Sequence, residues 1–431
     1  MLRGSVLGAL CWMAAAAGAA AQTVPPATPT GSSGRPQIDG QFAVLFDAVP
    51  RQDAAELRPR LRVDLSGGRG AFRYRADVSV EGLAADRDGG VTAVIGQARD
   101  VWIEWATERV ELRGGVGRLP WGRLDEIAPS DVVNPLDTAK FLLEGRAEAR
   151  LPVAFIRGRV FAGEDLRIEG VLVPLFRRAT FDALDEPTSP FNLLKTVALP
   201  PGAVKEPEIE HFEPDVSWSN LSGGARVTGT IGRTDIGVSA FRGFDGFGAI
   251  TFEPVLNPIG AVSGGRLVEH HERFTMIAAD AETVVGEWAL RGEAAFFVER
   301  TVAASIPLRL VPAHAIDAGA GFDRRAGEYR VFGSVIVQHL WSEEDPAVDR
   351  TNVSLVGSID RSFARDRGLA RVFAVVNPAD ESAFVRALAI WRVRDNVSVE
   401  GSAGAFLGSS DDAIGRFENR DFLFGRLAYY F

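Results

Sequence analysis

The chain has 431 residues and a formal net charge of −10 at pH 7, so nothing in its balance suggests a nucleic-acid partner. Its only cysteine, Cys11, lies in a segment expected to be removed, and a mature chain without a thiol can form no disulfide, haem-attachment or zinc-thiolate site. No later apolar run approaches the ~18 residues of a membrane helix, which leaves the closed β-barrel as the one way for such a chain to cross a bilayer.

Residues 1–21 read as a secretory signal peptide: Arg3, an apolar run through Leu10, Cys11 and Trp12, then Ala19-Ala20-Ala21 before Gln22. Gly8 stands three residues before Cys11 where a lipoprotein signal would carry leucine. Residues 22–39, rich in Pro, Thr, Ser and Gly, are expected to form a periplasmic leader, with the remainder, 40–431, as one domain.

From Gly40 onward the chain alternates with period two, as in Leu57-Arg58-Pro59-Arg60-Leu61-Arg62-Val63-Asp64-Leu65 and Phe72-Arg73-Tyr74-Arg75-Ala76-Asp77-Val78. The pattern predicts about eighteen strands, with sixteen as the alternative, from 41–48 through to 419–431. Every second connection is tight (Glu108, Gly163-Glu164, Arg233-Thr234, Asp395-Asn396), and those between are longer, with 119–152, 177–222 and 244–271 the largest. Short turns at one rim and long loops at the other are how membrane barrels are built, so the expected fold is an all-β transmembrane antiparallel barrel with long extracellular loops.

Alternation then assigns faces. Tyr74, Trp105, Trp288, Tyr329 and Tyr429 fall on the outward face near the tight turns and read as an aromatic girdle. The inward face collects charge, including the pore-lining candidates Arg58, Arg60, Arg62, Arg73, Arg75, Arg113, Arg157 and Arg159, alternating with Asp64, Asp77 and Glu81. Two readings stand side by side: an arginine selectivity filter for anions, or a set of lumen salt bridges.

Within 119–152, Asn134 is a good N-cap, Pro135 suits the first helical position, Asp137 the third, and Gly145 can close a helix over 135–144. Its side chains Leu136, Phe141, Leu142 and Leu143 need cover, and the inner barrel wall and the neighbouring loops can provide it. The loop is therefore expected to constrict the pore, with Asp131, Asp137 and Lys140 on the wet side and Trp121 bracing it at the outer rim. Gly117-Arg118, Trp121-Gly122, Pro129, Asp131, Asn134-Pro135 and Asp137 together resemble a pattern of proteobacterial outer-membrane porin-like proteins, distantly similar to alginate-export porins. That resemblance implies a channel or transporter and names no solute.

Acidic runs at 206–211 and 343–345 could bind divalent ions together with lipopolysaccharide, or stand as solvated loops. Of the five histidines, His270-His271 lies in a predicted outer loop, and neither Gly-x-Ser-x-Gly nor His-Glu-x-x-His occurs, so no catalytic residue, metal ligand or cofactor is assigned. Long-chain fatty-acid barrels have a comparable length, but their N-terminal Asn-Pro-Ala turn has a counterpart here only at Asn377-Pro378-Ala379. The chain ends in Leu427, Tyr429 and Phe431 at alternate positions, which resembles the C-terminal assembly signal of Gram-negative outer-membrane barrels. The expected protein is an outer-membrane channel for small hydrophilic, mildly anion-preferring solutes, secreted across the inner membrane, with lipid, lipopolysaccharide, the barrel-assembly machinery and a small solute as partners. Transport of hydrophobic compounds, an outer-membrane enzyme and a surface-binding barrel are the alternatives, and monomer and trimer both stay open.

Overall fold

Alternating apolar and polar side chains commit each segment to a strand with one face for each environment. The computed structural model describes residues 36–86, 91–163, 165–180, 209–256, 258, 262–304, 309–410, 412 and 414–431; the expected signal peptide and nearly all of the expected leader lie outside them. Strands β1 (Gln37–Val49), β2 (Ala54–Arg69), β3 (Phe72–Asp86), β4 (Val91–Ala106), β5 (Val110–Gly117), β6 (Val153–Ala162) and β7 (Leu166–Val173) come first. β8 (Ile209–Phe212), β9 (Ser222–Ile231), β10 (Thr234–Phe244), β11 (Ala249–Leu256), β12 (Val262–His270), β13 (Arg273–Val285) and β14 (Trp288–Ala303) follow. The last are β15 (Leu310–Ala326), β16 (Tyr329–Trp341), β17 (Thr351–Phe363), β18 (Gly368–Asn377), β19 (Ser382–Arg394), β20 (Val397–Leu407) and β21 (Phe422–Tyr430). All but β8, β11 and β12 form one 18-stranded antiparallel sheet, closed where β1 pairs with β21. The first strand begins at Gln37, inside the stretch expected as leader.

The tight connections fall at one rim, as expected. Gly70, Gly232, Gly286 and Gly327 each open a two-residue hairpin with φ between 61° and 65°, the first-position glycine that the twist of such hairpins favours. Two long connections at the other rim supply a small second sheet, in which β12 pairs antiparallel with β11 and parallel with β8.

The outer surface is a continuous apolar belt: Phe42, Leu61, Val80, Ile103, Ile156, Ile277, Val335, Leu355, Val372 and Leu423 are all exposed. Water does not tolerate a patch running round every strand, so this is a wall built to face hydrocarbon. No helix among the described residues is long and apolar enough to cross a membrane. Tyr74, Trp105, Trp288, Tyr329 and Tyr429 stand outward beside the tight hairpins.

The inner face collects charge as expected, but not over its whole height. Charged residues concentrate toward the hairpin rim, among them Arg62, Asp77, Arg113, Asp280, Asp323 and Arg330. Toward the long loops most inward positions are apolar, with Leu45, Phe155, Phe241, Phe274, Phe297, Phe373, Phe384 and Phe422 buried inside the barrel, and the charges there, such as Asp47 and Arg58, are buried in pairs. A strand whose two faces are both apolar over half its length needs cover inside as well as outside, and the folded-in loop described below gives it.

The seam rests on the chain's end. Phe431 exchanges backbone hydrogen bonds with Gly40 (2.8 and 3.0 Å), and its ring lies over residue 40 where a Cβ would be, so a larger residue there would have to push the ring aside. Deleting Phe431 should remove both bonds, about 1 kcal/mol each net, together with the ring's cover. We expect the amount of heat-modifiable, folded barrel in the outer-membrane fraction to fall; insertion at the parent's level would show that the seam does not depend on this residue.

Candidate functional site: a loop docked across the barrel

Residues 118–152, between β5 and β6, fold into the barrel and touch opposite sides of the ring. At one end α1 (Thr138–Glu144) presents Glu144 to β2. Its carboxylate accepts a bidentate pair from Arg60 (2.7 and 2.8 Å) and a bond from Arg58 (3.3 Å), and Arg58 also donates to Asp47 (2.9 Å). Beside it Glu148, in α2 (Arg146–Ala149), pairs with Arg99 at 2.7 Å. At the other end the clamp is inverted, since a wall carboxylate is held by the loop backbone. Glu293 on β14 accepts from the amides of Arg123 (2.8 Å), Leu124 (3.2 Å) and Ser130 (2.6 Å) and from the Ser130 hydroxyl (2.7 Å). The loop can come this close because Gly122 adopts φ +85°, and a Cβ there would meet the Glu293 carboxylate at 2.6 Å. Arg123 adds an ion pair to Asp280 (2.5 Å), and Asp125 receives Arg291 (3.0 Å).

The apolar side of α1 completes the docking. Phe141, Leu142 and Leu143 are buried in one cluster with Leu45, Val356, Phe373, Phe384 and Phe422 of the wall. Burying each such side chain contributes about 1.5–3 kcal/mol, which a helix of seven residues could not replace by its own hydrogen bonds.

The residues of the porin-like pattern turn out to be the loop's internal scaffold. The helix begins three residues later than expected: Asp137, not Asn134, is the N-cap, accepting from the Lys140 amide at 3.0 Å, while Gly145 closes the helix as predicted. Asn134 instead ties the two ends of the loop, accepting from the Leu119 amide (2.6 Å) and donating to the carbonyls of Gly117 (3.2 Å) and Leu151 (2.8 Å). Asp131 is not on a wet side; it is buried between Arg146 (2.7 Å) and Arg150 (2.6 Å) and accepts from the Trp121 amide. Trp121 does not brace the outer rim either. It is buried inside the wall, edge-on to Phe241, with its indole N–H on Glu169 at 2.9 Å. Asp137 and Lys140 are part-buried and lie 3.7 Å apart.

All eight candidate arginines project inward, and each has a carboxylate within salt-bridge range. Arg62 pairs with Asp77 (2.6 Å), Arg73 and Arg113 with Glu104 (3.4 and 2.5 Å), Arg75 with Asp64 (2.5 Å), and Arg159 with Glu169 (2.5 Å). Arg157 stands 3.8 Å from Glu104 and 3.9 Å from Glu111. Of the two readings, the geometry favours the salt-bridged wall over a ring of free cations. Arg58 and Arg60 are the clearest case, because they are sealed beneath Glu144.

Glu144, Glu148, Ser130 and Asp280 were not singled out from the sequence, because their partners lie on strands far away in the chain. His211, Glu269 and His271 also come together at the loop rim, where no metal ligand was assigned. Beneath that rim, between the loop and β10, β13 and β14, lies a cavity of ≈ 180 Å³ lined by Ile127, Val133, Phe241, Phe274, Phe297 and Arg300 among others.

No family model and no curated protein sequence matches the chain. Among solved structures it is similar to OpdK of Pseudomonas aeruginosa with vanillate, at 11% identity and a TM-score of 0.51 over 93% of this chain and 100% of that one. A BenF-like porin from Pseudomonas fluorescens Pf-5 matches at 12% identity and a TM-score of 0.48, over 93% and 99% of the two chains. The chain has the 18-stranded barrel fold of outer-membrane porins. Identity this low carries the fold and leaves the solute to be argued from the site.

Burial alone would raise the loop carboxyls, and the guanidiniums opposite more than offset it: Glu144 is held well below the ordinary carboxylate range, and Glu148, facing Arg99, is lowered to about 2. Depressed carboxyls stabilise docking fully above their unfolded pKa of about 4.3 and release it only as pH falls through the lower folded values. The loop should thus stay docked at pH 4. Glu144→Ala should loosen it at neutral pH, because Arg58 and Arg60 then keep Asp47 and Glu81 but lose the carboxylate that ties them to the loop; breaking a buried pair costs up to about 3–5 kcal/mol. Single-channel conductance checks both: it should rise in the variant at pH 7, while the parent at pH 4 stays below the variant's level.

Proposed function

We propose that this protein is an outer-membrane channel for small hydrophilic solutes, constricted by loop 118–152. The observation that carries this is the loop's span from Glu144 beneath Arg58 and Arg60 on β2 to Glu293 on β14, across a ring of eighteen strands whose interior side chains alone would leave a channel. The water-facing groups on the remaining path are mixed in sign, with Arg73, Asp235 and Glu282 among them, and the wall arginines are matched by carboxylates. We therefore read the channel as passing small solutes with little discrimination by charge; the anion preference expected from the arginine count loses its free cations. In this reading the barrel sits in the Gram-negative outer membrane among lipid and lipopolysaccharide. Leu427, Tyr429 and Phe431, outward on β21 and at its end, would serve the assembly machinery.

One observation favours a second reading, the transport of more hydrophobic compounds: the cavity beneath the loop rim has an apolar side made by Phe241, Phe274 and Phe297, beside charged groups that include Arg300 and Asp317. Planar-bilayer recording separates the possibilities. Deleting residues 125–145 should raise single-channel conductance without loss of insertion, and the reversal potential under a salt gradient should stay near zero. Unchanged conductance in the deletion would mean that the loop does not limit flow. Block of the parent by apolar solutes, with none by sugars or small acids, would favour the second reading.

A further inference from the structure

We propose that His211, Glu269 and His271 form a binding site for a divalent transition-metal ion, of the zinc class, which fastens two extracellular loops together. The ligands come from separate parts of the chain. His211 is on β8, in the connection between β7 and β9; Glu269 is on β12 and His271 just after it, in the connection between β10 and β13. Parallel pairing of β8 with β12 sets His211 directly opposite Glu269. One nitrogen from each imidazole and one carboxylate oxygen lie within 4.8 Å of one another.

His271 supplies the deciding detail. Its side chain is wholly buried, and its Nδ1 lies 3.0 Å from the Asp245 carbonyl, an acceptor, so the ring proton sits on Nδ1. Nε2 has no hydrogen-bond partner among the described residues and faces Glu269 Oε2 at 3.5 Å; in the neutral ring it presents a lone pair there. Positive charge between these atoms can be a proton on Nε2 or a metal ion, and the second imidazole converging on the same carboxylate oxygen favours the ion. A ligating histidine that donates its other N–H to a backbone carbonyl is the usual second-shell arrangement at metal sites, and Glu269 is oriented in the same way through its other oxygen, which accepts from the Gly248 amide at 3.0 Å. Bonds of about 2.0–2.2 Å in tetrahedral geometry put neighbouring ligand atoms roughly 3.4 Å apart, close to the His271–Glu269 separation.

His211 Nδ1 is nearer, 2.6 Å from the same oxygen, and its Nε2 lies 3.2 Å from Arg178. Binding through Nδ1 moves the His211 proton to Nε2 and turns the Arg178 guanidinium toward Glu213, with which it already pairs at 3.3 Å. Two imidazoles and one carboxylate suit Zn²⁺ and leave a position for water, whereas Ca²⁺ and Mg²⁺ prefer all-oxygen sets. The site joins onto the cavity, since Asp245 pairs with Arg300 of its wall at 3.2 Å. An ion here would stiffen the small sheet above the cavity. The binding claim stands apart from the channel reading; only the effect on conductance rests on it.

The test uses the full-length barrel, purified in detergent without a polyhistidine tag and titrated with ZnCl₂ by calorimetry. One Zn²⁺ per chain is expected, surviving millimolar Ca²⁺, with affinity at least tenfold lower in His271→Ala and in His211→Ala and unchanged in His270→Ala. Heat-modifiability shows whether each variant is folded; should His271→Ala not fold, the milder Glu269→Gln takes its place with the same expected loss. No stoichiometric Zn²⁺ binding by the parent, or parental affinity in the folded variants, would overturn the site. In planar bilayers, Zn²⁺ should reduce current fluctuations of the parent and leave His271→Ala unaffected. Binding that is lost in the variants but leaves the current unaltered would uphold the site and overturn its effect on conductance.

Discussion

An eighteen-stranded ring is wider than its own inward side chains can fill, and everything distinctive about this protein follows from how that interior is occupied. Loop 118–152 enters as a folded unit and is held at both ends by buried carboxylates used in opposite senses. Glu144 belongs to the loop and is gripped by wall guanidiniums, whereas Glu293 belongs to the wall and is gripped by loop amides. Each carboxylate loses its partners if the two surfaces separate, while Arg58 and Arg60 fall back on Asp47 and Glu81, so the loop has one position in which all these groups are satisfied.

That docking also accounts for the two-zone interior. The apolar inward residues toward the long loops would be misplaced in a water-filled lumen, but they cover Phe141, Leu142 and Leu143 and are covered by them. Toward the hairpin rim the inward positions carry charge, and there the loop meets the wall through Arg123 and Asp125 instead of apolar side chains. Both zones obey one rule of matching the surface opposite, apolar against α1 and charged against Arg123 and Asp125.

Period-two alternation made the strands and their faces legible, because it records the environment on either side of a sheet, and parity of connection lengths exposed the up-and-down topology. The inside of the loop was much less legible. Asn134 has the composition of a helix cap, and a local reading made it one; its three hydrogen bonds go instead to residues 15 to 17 positions away, so its role exists only once the loop has closed. Trp121 and Asp131 were misplaced for the same reason, since their partners Glu169, Arg146 and Arg150 are brought to them by tertiary structure. His211 and Glu269 are 58 residues apart and meet only through a parallel pairing that no local pattern announces.

The arginines of the wall show how residue type can mislead about function when pairing is unknown. Arginine is the natural choice for a filter that attracts anions, yet the same guanidinium is the best partner for a carboxylate that must be buried. On β2 and β3 the two kinds of residue alternate along each strand and pair diagonally across the ladder, Arg62 with Asp77 and Arg75 with Asp64, so that these side chains are neutralised by one another. A guanidinium already engaged in two such bonds attracts a passing anion far less than a free one. Under the proposed channel reading, any selectivity would then arise from the minority of groups left facing water and from the width left beside the docked loop.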